Sequence, residues 1–315
     1  MNETTTLPAT DIKPHLALIA VQLIFGTWPV VGKIALRTLP ATGLVTFRVV
    51  GATLAFLIIR RATGYVKIKH RSDFARLALY SLLGVVLNQF LFVKGLELST
   101  AINAALLGST IPIFALLVSV MLGYETGSWR VAIGLLLAAC GVVYLINPAQ
   151  ANFSRETNIG NLILIVNSMS YGAYIAISQD MIKRYGALTV ITWIFIFGSL
   201  VTLPIGGYHL ADIPLSNIPL GVWLAVLYII LIPTVAAYYL NAWALGRVAP
   251  SIVAIYIYLQ PLIAFAVAPL ILGEQLNSRT WLAAGFIFAG VAIVTIRARS
   301  RIIEEVSERP EALGH

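Results

Sequence analysis

Apolar residues run along this chain in long stretches, and polar residues gather between them. A helix needs about 20 apolar residues to cross the hydrocarbon of a bilayer. On that measure the pattern predicts ten spanning helices, over 15–35, 42–60, 74–94, 99–121, 129–147, 158–180, 187–207, 218–243, 249–272 and 279–297. Proline, glycine, asparagine and charge mark the joins. Short joins, such as those at Pro40-Ala41 and Leu96–Leu98, predict antiparallel neighbours. The most polar connections are 61–72 and 148–157. Polar residues 1–14, which carry no cleavable signal pattern, and charged residues 298–315 are expected as tails.

The pattern is written twice. Shifted back by 149, Pro261 falls on Pro112, Ala264 on Ala115, Val267 on Val118, Glu274 on Glu125, Arg279 on Arg130, Gly290 on Gly141 and Val291 on Val142. A shift of 146 brings Leu16 onto Leu162, Leu18 onto Leu164, Ile19 onto Ile165, Gly26 onto Gly172 and Thr46 onto Thr192. Trp28 then falls on Tyr174 and Arg37 on Lys183. The chain therefore divides into a first repeat at 15–147, a connecting loop at 148–157 and a second repeat at 158–297. Five helices per half make the second repeat enter the membrane from the opposite side. The expected fold is an all-α membrane protein with ten transmembrane helices in two inverted five-helix repeats, a plan that places substrate sites near the midplane.

Composition agrees with this and excludes other classes. Hydrophobic residues make up 59% and charged residues 11%, against roughly 25% charged in soluble domains. The net charge of +8 is read as basic cytoplasmic loops and not as a nucleic-acid surface. With the N-terminus inside, the inner segments hold 15 of the 21 Lys and Arg residues, and both tails are cytoplasmic. The lone Cys140 lies in an apolar run, which leaves no disulfide framework and no Cys-based metal cluster. No cofactor and no metal are expected, and the oligomeric expectation is a monomer or weak homodimer.

The front of the repeat stands as Gly26-Thr27-Trp28-Pro29, Lys33, Pro40 and Phe47-Arg48. Its end stands as Pro261, Leu272-Gly273-Glu274, Trp281, Gly285 and Gly290. These residues resemble the EamA type of the drug/metabolite transporter superfamily. The resemblance covers about 15–297. It departs from the pattern at Gly123-Tyr124-Glu125, where a Tyr is inserted, and at Gln179 and Ile194, where Lys33 and Arg48 would repeat. It implies a ten-helix transporter of small metabolites, often an exporter, in the bacterial inner membrane.

Polar groups inside lipid are costly unless they face a cavity or a partner. In helix 6, Asn167, Tyr171, Tyr174 and Ser178 fall on one face. Trp28 matches Tyr174 under the repeat. Tyr256 and Gln260 share a face in helix 9, and Tyr238 and Asn241 in helix 8; helix 3 adds Asn88, Gln89 and Phe92, and helix 4 adds Asn103. These residues predict an aromatic, amide-bearing cavity suited to a zwitterionic or partly apolar solute, such as an amino acid. The alternative is interhelical hydrogen bonding with aromatic belts at the headgroups. Lys33 and Arg48 lie toward the outer side. Either they draw a carboxylate to the outer mouth, or Lys33 snorkels and Arg48 holds carbonyls or fixes helices 1 and 2; the second reading is preferred. Glu125 and Glu274 at helix ends read as structural, binding backbone amides or Arg130 and Arg279. Pro112 and Pro261 predict symmetric kinks in helices 4 and 9. Gly134/Ala138 and Gly285/Ala289 read as close-packing pairs.

His15, His70, His209 and His315 lie at termini or in loops, and no helix carries a carboxylate near its centre. A membrane-embedded enzyme would need convergent His, Asp or Glu, so that reading is set aside. A non-transporting scaffold stays open as an alternative, although it leaves the inverted repeat without a purpose.

Overall fold

A computed structural model describes residues 12–123, 129–146, 156–211, 214–248, 253, 256–290 and 292–293. The described residues form helices and turns, without strands. They are α1 Lys13–Leu36, α2 Ala41–Thr63, α3 Arg71–Leu98, α4 Ala101–Met121, α5 Trp129–Ile146, α6 Glu156–Tyr185, α7 Ala187–Leu210, α8 Leu220–Leu245, α9 Leu259–Leu272 and α10 at 278–290. Seven of these, α1 to α4 and α6 to α8, are long and apolar enough to cross a membrane. α6 runs five residues past its expected end, to Tyr185. Glu125 lies outside the described residues, as do Pro148 and most of the start expected for helix 9.

The helix pairing carries the repeat. α1 packs on α9, and its counterpart α6 packs on α4, while α2 and α7 pack on each other. Two glycines set these distances. A Cβ on Gly26 would stand 2.6 Å from the Cβ of Ile263, and one on Gly172 would stand 2.9 Å from the Cβ of Phe114. Gly26 and Gly172 are partners under the shift of 146, and Phe114 and Ile263 under that of 149. The backbone repeats as well. α3 widens into a π-helical turn at Leu82–Leu87, and α8 does so at Leu231–Ala236, 149 residues on. In α8 the cause is Pro233, which has no N–H to give; the Thr234 hydroxyl instead donates to Ile229 O, five residues back, at 2.7 Å. In α3 the ring of Tyr174 lies against Gly84, where a Cβ would meet it at 2.7 Å.

Pro112 and Pro261 do not kink continuous helices. Each sits in the first turn of a new segment, just after a break at Ser109-Thr110 in α4 and at Ile257-Tyr258 before α9. That is where a missing N–H costs least, because the first four N–H groups of a helix have no partner within it. The hydroxyls of Ser109 and Thr110 donate to Leu106 O and Leu107 O, both at 2.6 Å, and close the first segment. Gly285 has open space where a Cβ would stand, so it brings no helix close. Gly141 does: a Cβ there would meet Ile287 Cγ1 at 2.8 Å and Ala283 O at 2.9 Å.

Candidate functional site

The repeat leaves a cavity of about 70 Å³ between α1, α2, α3, α4, α6, α8 and the start of α9. It lies at the middle of the helices: α1 spans Lys13–Leu36 and contributes Gln22, Phe25, Trp28 and Pro29. One water needs roughly 10–15 Å³, so several waters or one small solute fit. The walls are of three kinds. Phe25, Trp28, Phe92, Tyr171, Tyr238 and Ile175 give apolar and aromatic surface. Ala104, Ala105 and Gly108 of α4 give a small-residue wall. Gln22, Asn88, Asn167, Asn241 and Gln260 bring amides, and Arg48 brings the only charge among the described lining residues.

Two hydrogen-bonded bridges hold this lining across the halves. Asn88 Nδ2 donates to Asn167 Oδ1 at 2.9 Å, Tyr238 OH donates to Asn88 Oδ1 at 3.0 Å, and Gln89 Nε2 donates to Tyr238 OH at 2.6 Å. Gln89 and Tyr238 are 149 apart and meet where the repeats cross. Gln260 Nε2 donates to Gln22 Oε1 at 2.6 Å and joins α9 to α1. Tyr171 stands edge-on to Tyr238 with ring centres 6.3 Å apart.

Arg48 departs most from its expected place. It is two turns into α2, about 10 Å from the helix start at the rise of an α-helix, and its exposure is 2%. It is therefore inside the cavity wall and not at a mouth. Nε donates to Thr234 Oγ1 at 2.6 Å, one terminal nitrogen donates to Pro233 O at 3.4 Å, and the guanidinium lies 4.2 Å above the Trp28 ring. It thus holds a carbonyl, as expected, but one of the π-helical turn of α8, so its main tie is between α2 and α8. Lys33 is half-buried near the far end of α1, where Nζ donates to Glu97 O at 3.3 Å.

Trp28, Asn88, Asn167, Tyr171, Tyr238, Asn241 and Gln260 are brought together in the lining. Four expected residues stand outside it. Gln89 is buried behind, supporting Tyr238. Tyr174 lies further along α6 against Gly84, with its ring 5.6 Å from that of Tyr171. Asn103 bonds to Asn161 and Ser99 near the ends of α3, α4 and α6. Tyr256 OH pairs with His15 Nδ1 at 2.8 Å, close to the start of α1. Sequence reasoning missed Gln22, although Gln22, Phe25 and Pro29 stand at i, i+3 and i+7 and the signal was present. Among the described residues no group of His, Cys, Asp and Glu is placed to hold a metal ion.

Fold and composition together define an all-α, multi-pass integral membrane protein, with a cavity lined by aromatic and amide side chains at the middle of its helices. The model of the EamA-like transporter family matches residues 12–147 and again 158–296, and the chain belongs to that family. It is a membrane transporter and not an enzyme. It is similar to the uncharacterized transporter YetK of Bacillus subtilis, at 24% identity over 90% of this chain and 87% of the relative. A transporter of Archaeoglobus fulgidus is 27% identical over 90% and 98%. A WAT1-related protein of Arabidopsis thaliana is 26% identical over 96% and 87%. A solved crystal structure matches the fold with a TM-score of 0.65 at 18% identity, over 91% of this chain and 98% of the other.

Proposed function

We propose that the protein exports small metabolites such as amino acids by alternating access. The two repeats, 15–147 and 158–297, rock about the cavity lined by Trp28, Asn88, Asn167, Tyr171, Tyr238, Asn241 and Gln260. The single observation that carries this reading is that both halves line one amide-bearing cavity at the middle of the helices, with bridges that must break for the halves to part. Asn88–Asn167 and Gln22–Gln260 are such bridges. On this reading the basic end of the bundle faces the cytoplasm of a bacterial inner membrane, with both tails on that side. The working unit is one chain, since the cavity is complete without a second copy. Labelled amino acids preloaded in proteoliposomes test the proposal. Efflux above that of protein-free vesicles, reduced in Asn167→Ala and Tyr171→Ala, is the expected result; equal efflux with and without protein across the natural amino acids overturns the amino-acid reading.

A further inference from the structure

Arg48 is a buried charge with no counter-charge beside it among the described residues. No described carboxylate lies within ion-pair distance of it, and the three ion pairs among the described residues, Arg76–Asp180, Lys94–Glu97 and Arg184–Asp73, are all elsewhere. A guanidinium has five N–H donors in a fixed fork. The protein takes up two of them, one through a long bond to a carbonyl. A buried charge is normally paired, since leaving it alone costs several kcal/mol. Here Arg48 is part of the cavity lining.

The surroundings favour the same sign of ligand. Asn167 gives its carbonyl oxygen to Asn88, which leaves its amide N–H groups for the cavity. Gln22 likewise gives its oxygen to Gln260 and keeps its N–H groups. Among the described residues the lining has no Asp or Glu to receive an ammonium group. Trp28, under Arg48 and stacked on Phe92 with ring centres 6.0 Å apart, brings apolar lining beside the charge.

Resting on the transporter reading, we infer that Arg48 is the docking point for a carboxylate, and that the solute is an organic monocarboxylate whose apolar body lies among Trp28, Phe25 and Phe92. Two oxygens of a carboxylate fit the guanidinium fork, and the bond is charge-assisted. The α-ammonium of an amino acid adds no affinity, because no anionic partner waits for it and Arg48 repels it.

Binding to the purified full-length protein, in chloride-free buffer, tests this with four related probes: 3-phenylpropionate, its neutral amide, phenylalanine and phenethylamine. The expected order places 3-phenylpropionate first, roughly tenfold or more tighter than the amide, the difference between charge-assisted and neutral hydrogen bonds. Phenylalanine binds no tighter than 3-phenylpropionate, and phenethylamine binds worst. Arg48→Gln removes the preference for acid over amide, and Arg48→Lys keeps part of it. The comparison of acid and amide needs no substitution, so it decides the matter even if the Arg48 variants do not fold. Equal binding of acid and amide, tightest binding of phenethylamine, or no binding of any probe overturns the inference. Transport of another solute with no competition from the acid leaves the transporter reading standing and this one fallen. Acid binding that depends on Arg48 but is accompanied by no flux does the reverse.

Discussion

Single residues set how closely the two halves meet. A Cβ on Gly206 of α7 would lie 1.7 Å from Thr46 Oγ1, and that hydroxyl's one proton is already shared between Thr42 O of its own helix and Thr202 O across the α2–α7 contact. Alanine gains about 1 kcal/mol in helix propensity over glycine, while overpacking costs about 1–3 kcal/mol. At Gly206 a methyl would be driven into a bonded hydroxyl and the α2 backbone, so packing outweighs propensity. Gly206→Ala is expected to lower the thermal unfolding midpoint in detergent, and Gly285→Ala, with open space around it, to leave it unchanged or raise it. Equal midpoints for the two variants count against the packing described. The residue scale is also where the sequence was hardest to read. Gly26 and Gly172 stood out because they repeat, but nothing in one chain's letters tells a glycine under a ring from a glycine facing lipid. Arg48 shows the same gap: its position in α2 was plain, while its partners lie 185 and 186 residues away on α8.

At the scale of elements, the Leu272-Gly273-Glu274 motif now has a mechanical account. Gly273 ends α9 at φ +70, a left-handed conformation that favours glycine. The turn aims Glu274 back at the start of α4, where its oxygens accept from Ala101 N at 2.7 Å and Ile102 N at 3.0 Å. Thr100 Oγ1 accepts from Asn103 N at 3.0 Å. The first three N–H groups of α4 are thus satisfied, two of them by a residue of the other half, and a carboxylate there also meets the positive end of the helix dipole. Glutamine at 274 keeps one acceptor and loses the charge. Glu274→Gln is expected to lower stability by about 1–2 kcal/mol and to speed deuterium exchange in a peptide covering 99–105; unchanged exchange there removes Glu274 from this role. Helix number, helix order and the 149-residue echo were legible in the sequence because lipid allows only long apolar helices. The π-helical turns and the breaks before Pro112 and Pro261 were not. A proline tells that an N–H is missing, and only the packed neighbours decide whether the helix bends, widens or begins again there.

At the scale of the whole molecule, charge divides the two ends. Arg76 with Asp180, and Asp73 with Tyr185 and Arg184, tie α3 to α6 at one end, next to the basic segment 60–71. The opposite end holds Lys33, Glu97 and Glu274. If the basic end is cytoplasmic, a thiol reagent labels Lys69→Cys from inside and Thr38→Cys from outside; the reverse pattern overturns the orientation. What drives transport follows from the cavity. Among the described residues its lining has no carboxylate to collect a proton on one side and release it on the other, and an arginine keeps its charge throughout. A pH gradient therefore has no handle at this site. With a carboxylate solute docked on Arg48, the solute's own negative charge is what crosses while the arginine stays in the protein. Membrane potential then becomes the driving force. A charge falling through 100 mV gains about 2.3 kcal/mol, which is roughly a 50-fold ratio at equilibrium. An interior held negative, as in a respiring cell, pushes such an anion outward, and export needs no coupling ion. The expected outcome in proteoliposomes at pH 8, with potassium and valinomycin setting the potential and protein-free vesicles as the leak, is that labelled 3-phenylpropionate leaves faster and further as the interior is made more negative. Reversing the potential makes it accumulate inside. A distribution that ignores the potential and follows an imposed pH gradient overturns the voltage-driven account and points to a proton carrier outside the cavity.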